Sequence, residues 1–136
     1  MMTSRNLTFS CGLFLAALLP SLGMAGPTWL CSVSESLAVY DDGSSGEIDM
    51  GDMEAPTFLR VNTETMEVTL LAPDSRKGEI TAIGTVERGD DIWVIMGVEK
   101  GRAWSLVISD QGYMTLSVTG DGVTWSVFGN ALLEEE

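Results

Sequence analysis

From Thr57 onward the chain alternates apolar and polar residues in short runs separated by Gly, Asp, Asn and Pro. That alternation predicts β-strands, because successive side chains on a strand point to opposite faces. No segment in this part carries a helical period. One run breaks the rule. Ile92-Trp93-Val94-Ile95-Met96-Gly97-Val98 is apolar or glycine throughout, so both of its faces need cover or a partner.

Turn length fixes strand register, and register decides which side chains share a face. A two-residue turn at Asp121-Gly122 sets Val118 opposite Trp125 and Leu116 opposite Val127. A three-residue turn at Asp110 to Gly112 sets Ile108 opposite Met114, Leu106 opposite Leu116 and Trp104 opposite Val118. A two-residue turn at Lys100-Gly101 sets Trp93 opposite Ile108, Ile95 opposite Leu106 and Gly97 opposite Trp104. A turn at Gly89-Asp90 sets Val86 opposite Trp93 and Gly84 opposite Ile95. A four-residue turn at Asn62 to Thr65 sets Val61 opposite Met66 and Leu59 opposite Val68. Asp-Gly is a strong hairpin signal, since a type I′ turn needs positive φ at both central residues.

In this register one face gathers the aliphatic residues with Trp93, Trp104 and Trp125. Ile80, Ala82 and Val86 fall on it, and Gly84 and Gly97 lie there beside large residues. Small next to large fills the taper of a small barrel. The expected fold is all-β: an antiparallel up-and-down meander closed or half-closed into a small barrel. Seven strands follow Thr57, with one or two more between Trp29 and Tyr40; a β-sandwich is the alternative.

The other face of the apolar run carries Ile92, Val94, Met96 and Val98, with Ile83 and Val107 nearby. Three covers are open: the segment Trp29 to Tyr40 folded over it (or a second sheet), a protein partner or second copy, or a bound apolar molecule. Lys100 and Arg102 fall with Arg76 and Lys77 at one end of the meander. They form a basic tip that could meet an anionic group.

The N-terminus reads differently. Arg5 is followed by the apolar run Leu13 to Leu19, then Pro20 and the small residues of Gly23-Met24-Ala25. This is the pattern of a cleaved secretory signal peptide over residues 1–25. It is shorter than the ~20 apolar residues of a membrane span. The expected mature protein is one all-β domain over 26–136, periplasmic or secreted, with no membrane span.

Charge narrows the partners. Twenty acids oppose seven bases, a formal charge of −13. Nucleic acid and anionic membranes would be repelled. There is no histidine, which removes triads, imidazole-bound zinc and the commonest general base. Only carboxylate chemistry remains open to an enzyme, and no catalytic motif stands out. No cofactor is expected.

Asp41 to Pro56 forms an acidic loop. Its Asp41, Asp49 and Asp52 fall at positions one, nine and twelve of a partial calcium-loop pattern. Gly43 stands where a ligand belongs, however, and a solvated loop is the plainer reading. Arg88-Gly89-Asp90 sits at an expected hairpin tip, where Gly and Asp are ordinary turn residues. Cys31 alternates with Trp29 and Val33, as a buried thiol would; an intermolecular disulfide is the alternative.

The stretch Trp104 to Asn130 (WSLVISDQGYMTLSVTGDGVTWSVFGN) resembles the end of small uncharacterised exported β-proteins of Gram-negative bacteria. In those, an Asp-Gly hairpin leads into an aromatic-Gly-x-Cys ending, and an early cysteine follows the signal peptide. Here Phe128-Gly129-Asn130 runs into Ala131. The resemblance therefore implies export and β structure, and a Cys31 without the mate such proteins have.

Taken together, these features point to a non-enzymatic binding module that engages a protein through Ile92, Val94, Met96 and Val98, with Lys100 and Arg102. A carrier of a small apolar ligand is the alternative, opposed by three indoles crowding the interior. A carboxylate-based hydrolase comes third.

Overall fold

The computed structural model describes residues 26–135; the expected signal peptide, 1–25, lies outside them. The strands are β1 (Thr28–Tyr40), β2 (Ser45–Gly46), β3 (Phe58–Asn62), β4 (Glu67–Ala72), β5 (Ile80–Ala82), β6 (Thr85–Arg88), β7 (Ile92–Glu99), β8 (Arg102–Ser109), β9 (Tyr113–Gly120) and β10 (Val123–Leu133). They form one antiparallel sheet in the order β5-β4-β3-β1-β10-β9-β8-β7-β6, with β2 paired to β1. The sheet curls into a half-barrel. Its continuity excludes the sandwich. Strands β6 to β10 are the expected meander, and β1 enters between β3 and β10.

The short turns set register as expected. Trp125 faces Val118 and Val127 faces Leu116. Trp104 faces Val118, Leu106 faces Leu116 and Ile108 faces Met114. Trp93 faces Ile108, Ile95 faces Leu106 and Gly97 faces Trp104. The pair of positive φ values falls at Lys100 (52°) and Gly101 (78°), whereas at Asp121-Gly122 only the glycine has one.

Two pairings differ from expectation by two residues, which leaves the faces unchanged. Val61 faces Val68 and Leu59 faces Leu70, because the turn runs Thr63 to Met66. Asn62 stabilises it by accepting the amides of Glu64 and Thr65. Val86 faces Ile95 and Arg88 faces Trp93. The tip is therefore Asp90-Asp91, with the Gly89 amide donating to the Ile92 carbonyl.

A third difference does change faces. The run read as one strand from Ile80 to Arg88 breaks at Ile83-Gly84. Before the break it pairs with β4, Thr81 facing Val68; after it, with β7. The Ile83 amide donates to Met66 and the Gly84 amide to Met96, so this corner bridges the two edges of the half-barrel. Thr81 and Ile83 therefore turn inward. Ile83 is buried, while Ile80, expected inside, is 55% exposed, and Ala82 is exposed too. Gly84 lies against the backbone of Met96 and Gly97, not beside Ile95.

Strand β1 is not a cover over β7 but the seam of the sheet. Trp29, Cys31 and Val33 point inward until a bulge between Val33 and Glu35 shifts the alternation; thereafter Ala38 is buried. The bulge is pinned by the Ser34 hydroxyl, which donates to the Phe128 carbonyl. Opposite it stands Gly129, where a Cβ would run into the Ser32 carbonyl oxygen. Cys31 is free, wholly buried and directly opposite Ala131. Burial pushes its thiol up to about 12, so at neutral pH it is a protonated, apolar side chain.

The core occupies one end of the half-barrel. Trp29 meets Trp93 edge-on, centroids 5.5 Å apart. Val61, Ile95, Leu106, Ile108 and Met114 are essentially inaccessible; burying each such side chain contributes about 1.5–3 kcal/mol. Trp104 closes this cluster by lying over Gly97, where an added Cβ would stand 2.6–2.8 Å from the indole ring.

Gly97→Ala is expected to destabilise the fold by about 1–3 kcal/mol through overpacking, seen as a lower urea midpoint. Combining it with Trp104→Leu should cost less than the sum of the two single changes. A Gly97→Ala protein as stable as the parent would contradict this packing. Ala131→Cys should close a disulfide with Cys31, since directly opposed strand positions lie within bridging range. Oxidation should then add about 2–4 kcal/mol. Peptide mapping that finds both thiols free after refolding in a glutathione redox couple would refute the pairing.

Candidate functional site

Beyond Trp104 the interior opens into a cavity of about 350 Å³. Val33, Leu59, Val68 and Leu70 form one wall, and Leu106, Leu116, Val118 and Val127 the other, with the Trp104 and Trp125 rings among them. These walls are the inward rows of six neighbouring strands, β4-β3-β1-β10-β9-β8, so the lining follows from the same register as the core. The three indoles do not fill the interior as the sequence suggested. Trp93 is drawn to Trp29 in the packed end, and Trp104 is accommodated by Gly97.

The connection between β2 and β3 lies across this cavity. Its Ile48, Met50, Met53, Ala55 and Pro56 contribute to the lining, while its acids Glu47, Asp49, Asp52 and Glu54 are exposed. Arg76 ties the strap down. Its guanidinium donates to the Glu54 carbonyl at 3.1 Å, contacts the Met50 sulfur at 3.7 Å, and forms an ion pair of 2.7 Å with Glu79. The Ser75 hydroxyl adds a bond to the Glu54 carboxylate. The acidic loop thus has an amphipathic role that charge counting did not reveal: its apolar residues are spaced between the acids.

The calcium pattern is not assembled. Among the described residues no group of three acidic or thiol side chains gathers to hold a metal ion. Asp49 accepts the amide of Gly51, and Asp41 lies beside Gly122. Neighbouring Asp42 accepts both the amide and the hydroxyl of Ser44, and these bonds hold its carboxyl below the usual range. Arg88, at the end of β6, forms two 2.9 Å bonds to Asp110 and lies over the Trp93 ring, 5.0 Å from its centroid. These bonds lower the carboxyl pKa of Asp110.

The residues expected to form one partner surface divide between two faces. Ile92, Val94, Met96 and Val98 are on the convex side of β7: Val98 is 75% and Ile92 37% exposed, and Val94 and Met96 are half-buried. Lys100 and Arg102 belong to the concave side and line the cavity mouth with Arg76, Glu79 and Glu99. Lys77, the fourth cation of the expected tip, is exposed. The signal for this division was present in the sequence. Arg102 shares the parity of Trp104, Leu106 and Ile108, so it must end their inward row. Its guanidinium lies 5.0 Å from the Trp125 ring centroid.

Compared with known proteins, the chain matches no family model, no curated protein and no solved structure.

Proposed function

We propose that this domain is a binding module that takes a small, largely apolar molecule on its concave face. The observation that carries this reading is the cavity of about 350 Å³ between the Trp104 end of the core and the Ile48–Pro56 strap. Its size lies within the ~300–1,000 Å³ typical of small-molecule sites, and such sites are apolar with few polar groups. The Glu79 carboxyl is held below the usual range by its bond to Arg76, the reverse of what a general acid requires. The strap, with Ile48 and Met50 half-buried and its acids exposed, suits a partial cover over a bound apolar group. The expected export to the periplasm or outside the cell fits a carrier or sensor of such molecules.

The convex band supports a second reading, as a contact surface for a protein partner or a second copy. Its specific support is Val98, an aliphatic side chain 75% exposed on the same face as Ile92, Val94 and Met96.

The neutral fluorophore N-phenyl-1-naphthylamine should bind the purified protein saturably at one site. Leu116→Phe, which fills the cavity, should weaken it by about tenfold or more, a loss of ~1.4 kcal/mol, with unchanged circular dichroism. Unsaturable binding, or binding indifferent to the filled cavity, would rule out the concave site. For the convex band, sedimentation should show concentration-dependent self-association that Val98→Lys abolishes. A monomer at every concentration would dismiss the second-copy form of that reading.

A further inference from the structure

We infer that the cavity's ligand is a single-chain amphiphile with an anionic head, a carboxylate or a phosphate, held by Lys100 and Arg102 with its tail in the cavity. This rests on the concave-site reading above and adds the chemistry of the head group.

The placement of the cations carries the argument. The chain has twenty acids and seven bases, so each cation has many carboxylates to compete for it. Arg60, Arg76 and Arg88 each form an ion pair. Among the described residues Lys77, Lys100 and Arg102 form none, and of these Lys100 and Arg102 line the mouth of an apolar cavity. Arg102 stands directly opposite Glu99 in the ladder, but its guanidinium lies over Trp125 instead. An arginine held over a ring by a cation–π contact still offers N–H donors, and its planar fork suits a carboxylate or phosphate. Lys100 is fixed beside it by the two-residue turn, where its φ is 52°.

The opposing charges at the rim are Glu79 and Glu99. Glu79 is engaged by Arg76 through both carboxylate oxygens and also feels Lys100. The cavity lining thus holds three cations against two carboxylates, on a protein whose formal charge is −13. An anionic head would therefore meet attraction at this mouth and repulsion over most of the remaining surface. Tail and head have separate places: aliphatic walls toward Trp104, cations at the turn.

Four probes with one tail test this, each below its micelle concentration and titrated by Trp fluorescence: dodecanoate, dodecyl phosphate, dodecanol and dodecyltrimethylammonium. Dodecanoate or dodecyl phosphate should bind at least about tenfold tighter than dodecanol, as a charge-assisted hydrogen bond allows. Whichever is the tighter identifies the head group. The ammonium probe should bind more weakly than dodecanol. Lys100→Gln with Arg102→Gln should bring the anion-to-alcohol affinity ratio toward one, and Glu99→Gln should raise it. If the double variant does not fold, Lys100→Gln alone, in an exposed turn, should lower the ratio. Equal affinity for all four heads, or a ratio that ignores these substitutions, would overturn the anionic head while leaving the apolar site standing. Absence of saturable binding by every probe would sink the concave site itself.

Discussion

The interior depends on one contact, the indole of Trp104 laid over the bare Cα of Gly97 on the neighbouring strand. Only glycine leaves room for it. The indole N–H is buried there without a hydrogen-bond partner, which costs about 1–3 kcal/mol. The ring's packing must outweigh that cost. The result is a partition. On one side Ile95, Ile108 and Met114 close around Trp29 and Trp93; on the other the aliphatic walls remain apart and the cavity persists.

A second constraint acts on the edges. An open sheet would expose unpaired amides on β5 and β6. Because these strands follow one another, the Ile83-Gly84 corner donates one amide to each side of the gap. The curl of the sheet, the inward turn of Ile83 and the outward turn of Ile80 have this common cause. The strap from Ile48 to Pro56 covers the open side of the hollow end, and Arg76 fastens it. Fold and candidate site are thus one arrangement: the rows that build the core continue past Trp104 as cavity walls and end in cations at the mouth.

How far the alternation could be read depended on the turn. Two- and three-residue turns at Lys100, Asp110 and Asp121 leave little freedom, so the β7 to β10 register was legible. The four-residue turn after Asn62 admits neighbouring registers, and Asn62 selects one with its side chain. The break at Ile83-Gly84 had no local signal, because it arises when one segment pairs with two different strands. The site was legible in part. That Arg76, Lys100 and Arg102 share one end followed from the meander, but grouping the last two with Ile92 and Val98 ignored the parity that ties Arg102 to Trp104.

The sequence alone determined the all-β class and the inward rows of the last four strands, because a period of two and a short turn are local facts. Tertiary structure decided the rest. It placed β1 as the seam between β3 and β10, set Ala131 against Cys31, folded the acidic strap over the hollow and separated the two apolar faces of β7. Those outcomes depend on which distant strands meet, and loop closure between them leaves no mark in any short stretch of residues.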